Sequence, residues 1–289
     1  KLFIGFFQFN ILLFYNKPKN IITFGSYTSF MPIICTIIFK KLFKTKIYFH
    51  EQNSVVGKVH KFFLRFSENI FLTFKSTKGI NLKFKAVHTG FPLRKEIKKY
   101  KKNHYVINRK TKKLNLFVFG GSQGASNLSK IIVELLIKLT GSQQKLVNLT
   151  LQAPKNNIKE LELKLNKTKV NYEINTFYKD IIKKLSKTDL CICRAGSSTI
   201  NEILGLKVPS ILVPLPSATN NHQYYNAKFL SNYKATMLIH EKNLLSEKSL
   251  KIIKDIISNR NLLKSMFKNL NTIVEMNSND LIYKKIFND

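Results

Sequence analysis

Three cysteines are all that this chain of 289 residues contains, and they form no pattern. Cys35 stands alone, while Cys191 and Cys193 sit two apart in an apolar run, on one face of a strand. No C-x-x-C spacing occurs, so neither a disulfide framework nor a zinc site is indicated. The three read as small buried hydrophobes in a reducing compartment. Acidic residues are the next shortage: 16 against 49 Lys and Arg, a net charge of +33. Such a field suggests nucleic acid or an anionic membrane surface as a partner. Within that excess arginine is scarce, with Arg65, Arg94, Arg109, Arg194 and Arg260 the whole set. Base readout favours the forked guanidinium, whereas lysine supplies mainly phosphate attraction, and no RNA- or DNA-binding motif occurs. A compositional drift toward Lys, Ile, Asn and Phe accounts for the larger part of the charge and leaves a cationic surface suited to anionic lipid. Long hydrophobic runs are missing too. The stretch from Leu2 to Tyr15 is apolar but holds Gln8 and Asn10, and it falls short of the roughly 18 residues a membrane span needs; residues 31–39 are shorter still. No small-residue cleavage site ends the stretch from Leu2 to Tyr15.

What is present is a globular composition, 44% apolar, at a length that suggests two domains. The first segment reads as a helix (2–15), a strand ending at Gly25, an apolar helix (32–43), a strand "KIYFH" (46–50), a loop (51–57) and a helix to about Phe66. Strand-like pieces follow at 69–74 and 84–90. Residues 95–113 are crowded with lysine, lack an apolar period and read as a linker. From 114 onward strands and helices alternate: strands at 114–119, 146–151, 169–174, 190–193, 210–213 and 236–239, with helices between them and to the end. One helix carries Leu128, Ile131, Ile132, Leu135 and Leu139 on a single face. This alternation implies parallel sheets covered by helices, so the expected fold is α/β, with two Rossmann-like domains facing across a cleft. The expected division is 1–94, a linker at 95–113, 114–273, and a C-terminal helix at 274–289 that packs back on the first domain. Ligands in such sheets bind beyond the carboxyl ends of strands, so the loops after strands are the places to read.

In "LFVFGGSQGASNLSK" (116–130) a strand runs into two glycines and then a helix-period pattern. The turn lacks a Walker lysine and the G-x-G-x-x-G order. It is either a tight turn capped by Ser122 or Ser126, or a helix N-terminus opened for a phosphate. In "CRAGSSTINEILG" (193–205), Thr199 and Glu202 have the spacing of a capping box. Alternatively, the Glu202 carboxylate accepts hydrogen bonds from the vicinal hydroxyls of a ribose. His50 and Glu51 follow a strand and are candidates for a general base, or else a structural pair that steadies its loop. His222 is either functional or an exposed loop histidine. The aspartates Asp180, Asp189, Asp255, Asp280 and Asp289 contain no D-x-D pair, so no metal is expected and leaving-group charge falls to helix N-termini and backbone N–H groups.

Taken together, "HEQNSVVG" (50–57), "GFPLR" (90–94), "GGSQGA" (120–125), "CRAGSSTINE" (193–202) and "VP" followed by "HQYYNA" (222–227) resemble, in order and spacing, the MurG family. These are GT-B-fold glycosyltransferases that add N-acetylglucosamine to lipid I in peptidoglycan synthesis. The resemblance covers nearly the whole chain. It implies inverting transfer from UDP-N-acetylglucosamine, in which the C4 hydroxyl of the lipid-linked muramoyl sugar attacks C1 as UDP leaves, with no cofactor. By the same resemblance, Ser122 contacts the diphosphate, Glu202 the ribose, and Ser197, Ser198, Thr199, Ile200 and Asn201 complete a segment wrapped around the nucleotide. Tyr178 reads the uracil edge through its backbone, Gln223 holds the sugar hydroxyls, and Asn53 and Arg94 complete the donor side.

"GSYTSFMP", with Gly25, Ser26 and Tyr27, resembles the family's acceptor-diphosphate loop, although Ser26 stands where glycine is usual. The family's opening strand and Gly-rich, His-bearing loop have no counterpart after Lys1. The expectation is therefore an acceptor domain without its first βα units, and donor binding with little turnover. Lipid I as acceptor implies the cytoplasmic face of the bacterial plasma membrane, where 37–46 and 58–66 mix aromatics with lysines as an interfacial surface would; ordinary core-facing helices are the alternative for both. Two other readings are a UDP-sugar transferase of the same fold acting on a diacylglycerol lipid and, in a different class, a basic nucleic-acid-binding protein.

Overall fold

The computed structural model describes residues 2–80, 85–101 and 113–288. The chain forms two compact units, Lys1–Pro92 with Glu275–Asp289, and Leu93–Val274.

The first unit is a four-stranded parallel sheet in the order β1 (Asn20–Thr23), β2 (Lys46–Glu51), β3 (Asn69–Leu72), β4 (Ala86–His88). Its helices are α1 (Leu2–Asn16), α2 (Phe30–Phe43) and α3 (Lys58–Phe63). Five of the six residues of β2 are buried, as a strand covered on both faces by helices requires. One layer of core joins Ile47, Phe49, Ile70 and Leu72 to Ile33, Phe63 and Leu64. On the other face Tyr48 and Phe71 pack with Ile282 and Ile286 from the C-terminal end of the chain. Strand β4 is shorter than the stretch read from the sequence, and Phe84 lies outside the described residues.

The second unit opens with α4 (Lys95–Tyr100). A helix therefore occupies the start of the stretch expected to be linker, and residues 102–112 lie outside the described ones. Its apolar anchor is Ile97, buried against Gly205, where an added Cβ would stand 2.8 Å from Ile97 Cγ2. The sheet then uses β5 (Leu114–Phe119), β6 (Val147–Gln152), β7 (Asn171–Asn175), β8 (Leu190–Cys193), β9 (Ser210–Leu212) and β10 (Met237–Leu238). The intervening helices are α5 (Gly121–Ile137), α6 (Gly141–Gln144), α7 (Lys155–Leu165), α8 (Ile181–Ser186), α9 (Ser197–Leu206) and α10 (His222–Asn232). Then come α11 (Glu247–Ser258) and α12 (Asn261–Thr272), with α13 (Ser278–Phe287) returning to the first unit.

All six strands are parallel, in the order β10-β9-β8-β5-β6-β7. The chain winds outward from β5 in one direction and then restarts at β8 in the other. The loops after β5 and β8 thus flank the switch point, where an open α/β sheet leaves its crevice. Beneath it lies a core of Leu116, Val118, Leu128, Ile132, Leu136, Leu149 and Ile192. The three cysteines are buried and unpaired, and burial pushes the Cys191 thiol well up, assisted by Cys193 beside it. Among the described residues no helix is long and apolar enough to cross a membrane.

Candidate functional site

Two helices begin at the switch point of the second unit. Helix α5 starts at Gly121, with only Gly120 between it and β5; Gly120 is its N-cap and there is no side-chain cap. Ser126 therefore lies in its second turn and is not a cap; its Oγ instead accepts a hydrogen bond from Asn157 Nδ2 at 2.8 Å. The Ser122 side chain lies outside the described residues. Helix α9 starts at Ser197 with Gly196 as N-cap, again without a side-chain cap. This overturns the capping-box reading: the helix begins two residues before Thr199, which places Thr199 and Glu202 inside it. Both N-termini lack a side-chain cap and present the positive end of the dipole, the arrangement that favours an anion.

Glu202 is buried, and its charged neighbour is Arg94, whose Nε lies 3.8 Å from Oε1 and whose side chain is largely exposed. Burial raises the Glu202 pKa, and the Arg94 guanidinium offsets part of that shift. Here a carboxylate is held partly desolvated next to an exposed cation with no capping bond to satisfy it.

Other candidate side chains are occupied by the fold. Tyr178 turns inward: its hydroxyl donates to Leu151 O at 3.3 Å, its ring meets Phe117 edge-on, and burial pushes its pKa up to about 12. Ile200 is buried in the core, and Asn201 Nδ2 donates to Ser197 O at 2.7 Å. Ser197 is buried, Thr199 half-buried and Ser198 exposed. Gln223 Oε1 accepts from Ala195 N (3.2 Å) and Leu215 N (3.0 Å), tying the loops after β8 and β9 together and leaving its amide nitrogen as the donor end. His222 Nδ1 donates to Thr219 O at 2.8 Å.

In the first unit, His50 and Glu51 end β2. His50 is buried between the rings of Phe24 and Phe91; Nε2 donates to Gly90 O at 3.1 Å, and Nδ1 has no partner among the described residues. Burial lowers its pKa, although the Gly90 bond opposes the shift. Glu51 accepts from Asn53 N (3.0 Å), Gly57 N (2.9 Å) and the ring of His60 (2.9 Å). Burial alone would raise its pKa, but these bonds, with His60 foremost, bring the net shift below the ordinary value. A general base must reach a substrate proton. His50 is sealed in this structure, and both Glu51 oxygens hold the 52–57 loop. Asn53 belongs to this clamp through its N–H and its Nδ2. Gly25 has φ +72°, Ser26 Oγ pairs with the Thr28 hydroxyl, and Tyr27 is exposed.

Residues 115–281 match the Glycosyltransferase family 28 C-terminal domain. A relative from Rickettsia canadensis (strain McKiel) is 38% identical over 267 residues, which cover 90% of this chain and 73% of that one. Another, from Rickettsia bellii (strain RML369-C), is 35% identical over 262 residues, covering 90% and 72%. Both are named UDP-N-acetylglucosamine–N-acetylmuramyl-(pentapeptide) pyrophosphoryl-undecaprenol N-acetylglucosamine transferase. The chain belongs to the MurG glycosyltransferase family. The crystal structure of Acinetobacter baumannii MurG superposes with a TM-score of 0.77 at 23% identity, covering 98% of this chain and 79% of that one. That likeness shows the GT-B fold.

Two features of this MurG-family chain lay beyond the sequence reading. Arg194, just past β8, is buried, donates to Val213 O and Pro214 O at 3.4 Å, and pairs with Glu241, which also accepts from Asn127 at 2.5 Å. This knot joins the loops after β8, β9 and β10 to α5. The second is His60, which joins Glu51 from α3. Both link residues far apart in the sequence, and no local spacing announces them. Among the described residues no three His, Cys, Asp or Glu side chains gather as a metal-binding group.

Proposed function

We propose that this chain transfers N-acetylglucosamine from UDP-N-acetylglucosamine to the muramoyl-pentapeptide carried on diphospho-undecaprenol, forming the disaccharide with inversion as UDP leaves. The observation that carries the reading is the pairing, at one switch point, of two uncapped helix N-termini with the buried carboxylate of Glu202. The N-termini of α5 and α9 take the diphosphate, with Ser122 beside them, and their N–H groups meet the charge that develops on the leaving group. Glu202 accepts hydrogen bonds from the two ribose hydroxyls, and Arg94 closes over them. Main-chain groups at Tyr178 read the uracil edge, and the Nε2 of Gln223 donates to a sugar hydroxyl. The exposed Ser198 and the half-buried Thr199 line the nucleotide.

The acceptor is a lipid, and the first unit has a surface for meeting its membrane. Ile4, Phe7, Ile11 and Tyr15 recur at helical spacing along α1 and are 60–87% exposed. Ile38 and Leu42 on α2 and Phe62 on α3 are exposed as well, near Lys40, Lys41, Lys44, Lys58 and Lys61. An apolar stripe flanked by lysines suits the interface of an anionic leaflet, and the Gly25–Tyr27 loop takes the acceptor diphosphate.

The test is a melting screen against UDP-sugars and oligonucleotides, followed by transfer of labelled sugar to a lipid-linked muramoyl-pentapeptide. At a hundredfold excess over Kd a ligand stabilises by about 2.7 kcal/mol, a rise of roughly 5–10 °C for a unit of this size. UDP-N-acetylglucosamine should give that rise selectively, and labelled product should follow. Stabilisation by oligonucleotides alone, or transfer only to diacylglycerol, overturns the reading.

A further inference from the structure

We infer that His60 is a positioning residue for the Gly25–Tyr27 loop. This inference rests on the proposed reading of that loop as the acceptor-diphosphate site. His60 lies on α3, is buried, and stacks flat on Phe49 with ring centroids 4.6 Å apart and planes 17° apart. Its Nδ1 is 2.9 Å from Glu51 Oε2 and its Nε2 is 3.4 Å from Thr23 Oγ1. With Nδ1 donating to the carboxylate, Nε2 accepts from the threonine hydroxyl, so both nitrogens are used and the ring cannot turn without losing a bond. Thr23 is the last residue of β1 and Glu51 the last of β2. His60 therefore bridges the carboxyl ends of two neighbouring strands, and each of those strands leads into a loop of the proposed site.

The ring also fills the space beside Gly25. A Cβ on Gly25 would come within 2.6 Å of Cε1, 2.7 Å of Nδ1 and 3.0 Å of Nε2. These are not the ends of a flexible side chain but atoms of a ring pinned by Phe49, Glu51 and Thr23. Gly25 itself is left-handed, with φ +72°, so this close approach and the turn it permits both require glycine. On its other side, Glu51 fixes Gly57 N and Asn53 N, and a Cβ on Gly57 would meet Glu51 Oε2 at 3.6 Å and Gly25 O at 3.7 Å. Loops 24–29 and 52–57 are thus packed on one hydrogen-bonded core, Thr23–His60–Glu51. No atom of His60 reaches the surface, so its effect on catalysis passes through the loop it supports.

The test uses the whole chain with His60→Ala, His60→Asn, Gly25→Ala and the double variant. Removing a bond to a charged group costs a factor of about 10 to 150. His60→Ala should accordingly raise acceptor KM by at least about tenfold and speed amide exchange at residues 25–29 similarly. UDP-N-acetylglucosamine affinity should stay within about twofold, because the donor contacts proposed above lie in the second unit and Asn53, in the first, keeps its bonds to Glu51 Oε1 without His60. His60→Asn places an amide donor near the former Nδ1 and should restore most of acceptor KM and exchange protection. Gly25→Ala should lower the melting temperature less in the His60→Ala background, where the ring is gone, than in the parent, a coupling that only direct contact produces. Additive effects of the two substitutions, unchanged exchange at 25–29, or equal losses of donor and acceptor affinity would each overturn the inference. A parent chain that transfers no sugar would instead overturn the functional reading, while exchange and the coupling still decide whether His60 positions the loop.

Discussion

Glu202→Gln separates a binding role from a structural one, because the structure assigns opposite signs to its two effects. Glu202 makes no capping bond, its burial disfavours the charged form, and Arg94 at 3.8 Å offsets only part of that cost. The pKa in the folded chain therefore lies above the unfolded value of about 4.3. Between those two values the folded state binds more protons than the unfolded one, so stability falls as pH rises through that window. At neutral pH the carboxylate is a burden on the ligand-free protein. Glutamine keeps the shape and removes the charge, so the melting temperature of the free chain should stay level or rise slightly, and its decline between acid and neutral pH should flatten. Nucleotide binding should move the other way. Hydrogen bonds to a charged acceptor are worth about 1.5–3 kcal/mol, so UDP affinity should fall by roughly 10- to 150-fold. Titration calorimetry with UDP and a melting curve on the same preparation measure both. Unchanged UDP affinity would refute the ribose assignment, and a clear fall in melting temperature would show that Glu202 holds the helix after all.

Three further outcomes follow from the same geometry. Arg194→Ala leaves the half-buried Glu241 without its cation and should cost about 1–3 kcal/mol in urea unfolding; a loss well below about 1 kcal/mol would show that the knot is incidental. Tyr178→Phe removes the hydroxyl bonds to Leu151 and Glu173 and should cost about 0.5–1.5 kcal/mol while leaving UDP affinity within about twofold, so a large drop in affinity would mean that the side chain itself reads the base. Phe7→Asp and Ile11→Asp replace exposed residues of α1, each worth about 1.5–3 kcal/mol if buried in lipid. Each should reduce co-sedimentation with anionic vesicles by tenfold or more at an unchanged melting temperature, and equal pelleting would refute the membrane surface.

The strands were legible because each is a short apolar run bounded by a loop: "LFVF" and "LCIC" end where the structure ends them, at Phe119 and Cys193. Helix α4 was not, because "KEIKKY" has one aliphatic residue, Ile97, which docks against Gly205 of α9. The start of α9 was misplaced for a related reason. Ser197 and Ser198 look like loop residues, and Thr199-x-x-Glu202 imitates a capping box, while the actual cap at Gly196 has no side chain to reveal it. The pairing of Glu51 with His60 joins the end of a strand to the middle of a helix, and the Arg194–Glu241 pair spans 47 positions. Contacts made only by the folded chain leave no period to read.

This distinction bears on what the motif residues do. Of the run from Ser197 to Glu202, Ser197 and Ile200 are buried and Asn201 bonds back to its own helix. Tyr178 anchors its loop to β6, and the Gln223 carbonyl braces two loops at once. Most of the matching side chains are therefore committed to fixing backbone positions, and in the proposed site the nucleotide is left with helix N-termini, main-chain groups and a few exposed heads. Rigid main-chain donors lose no side-chain entropy on binding, which suits a site that must recognise a diphosphate and then release it as the leaving group. Substitutions at these positions should act through loop geometry, and Glu202 is the exception because its carboxylate is buried with no capping bond and with only the exposed Arg94 as charged neighbour among the described residues.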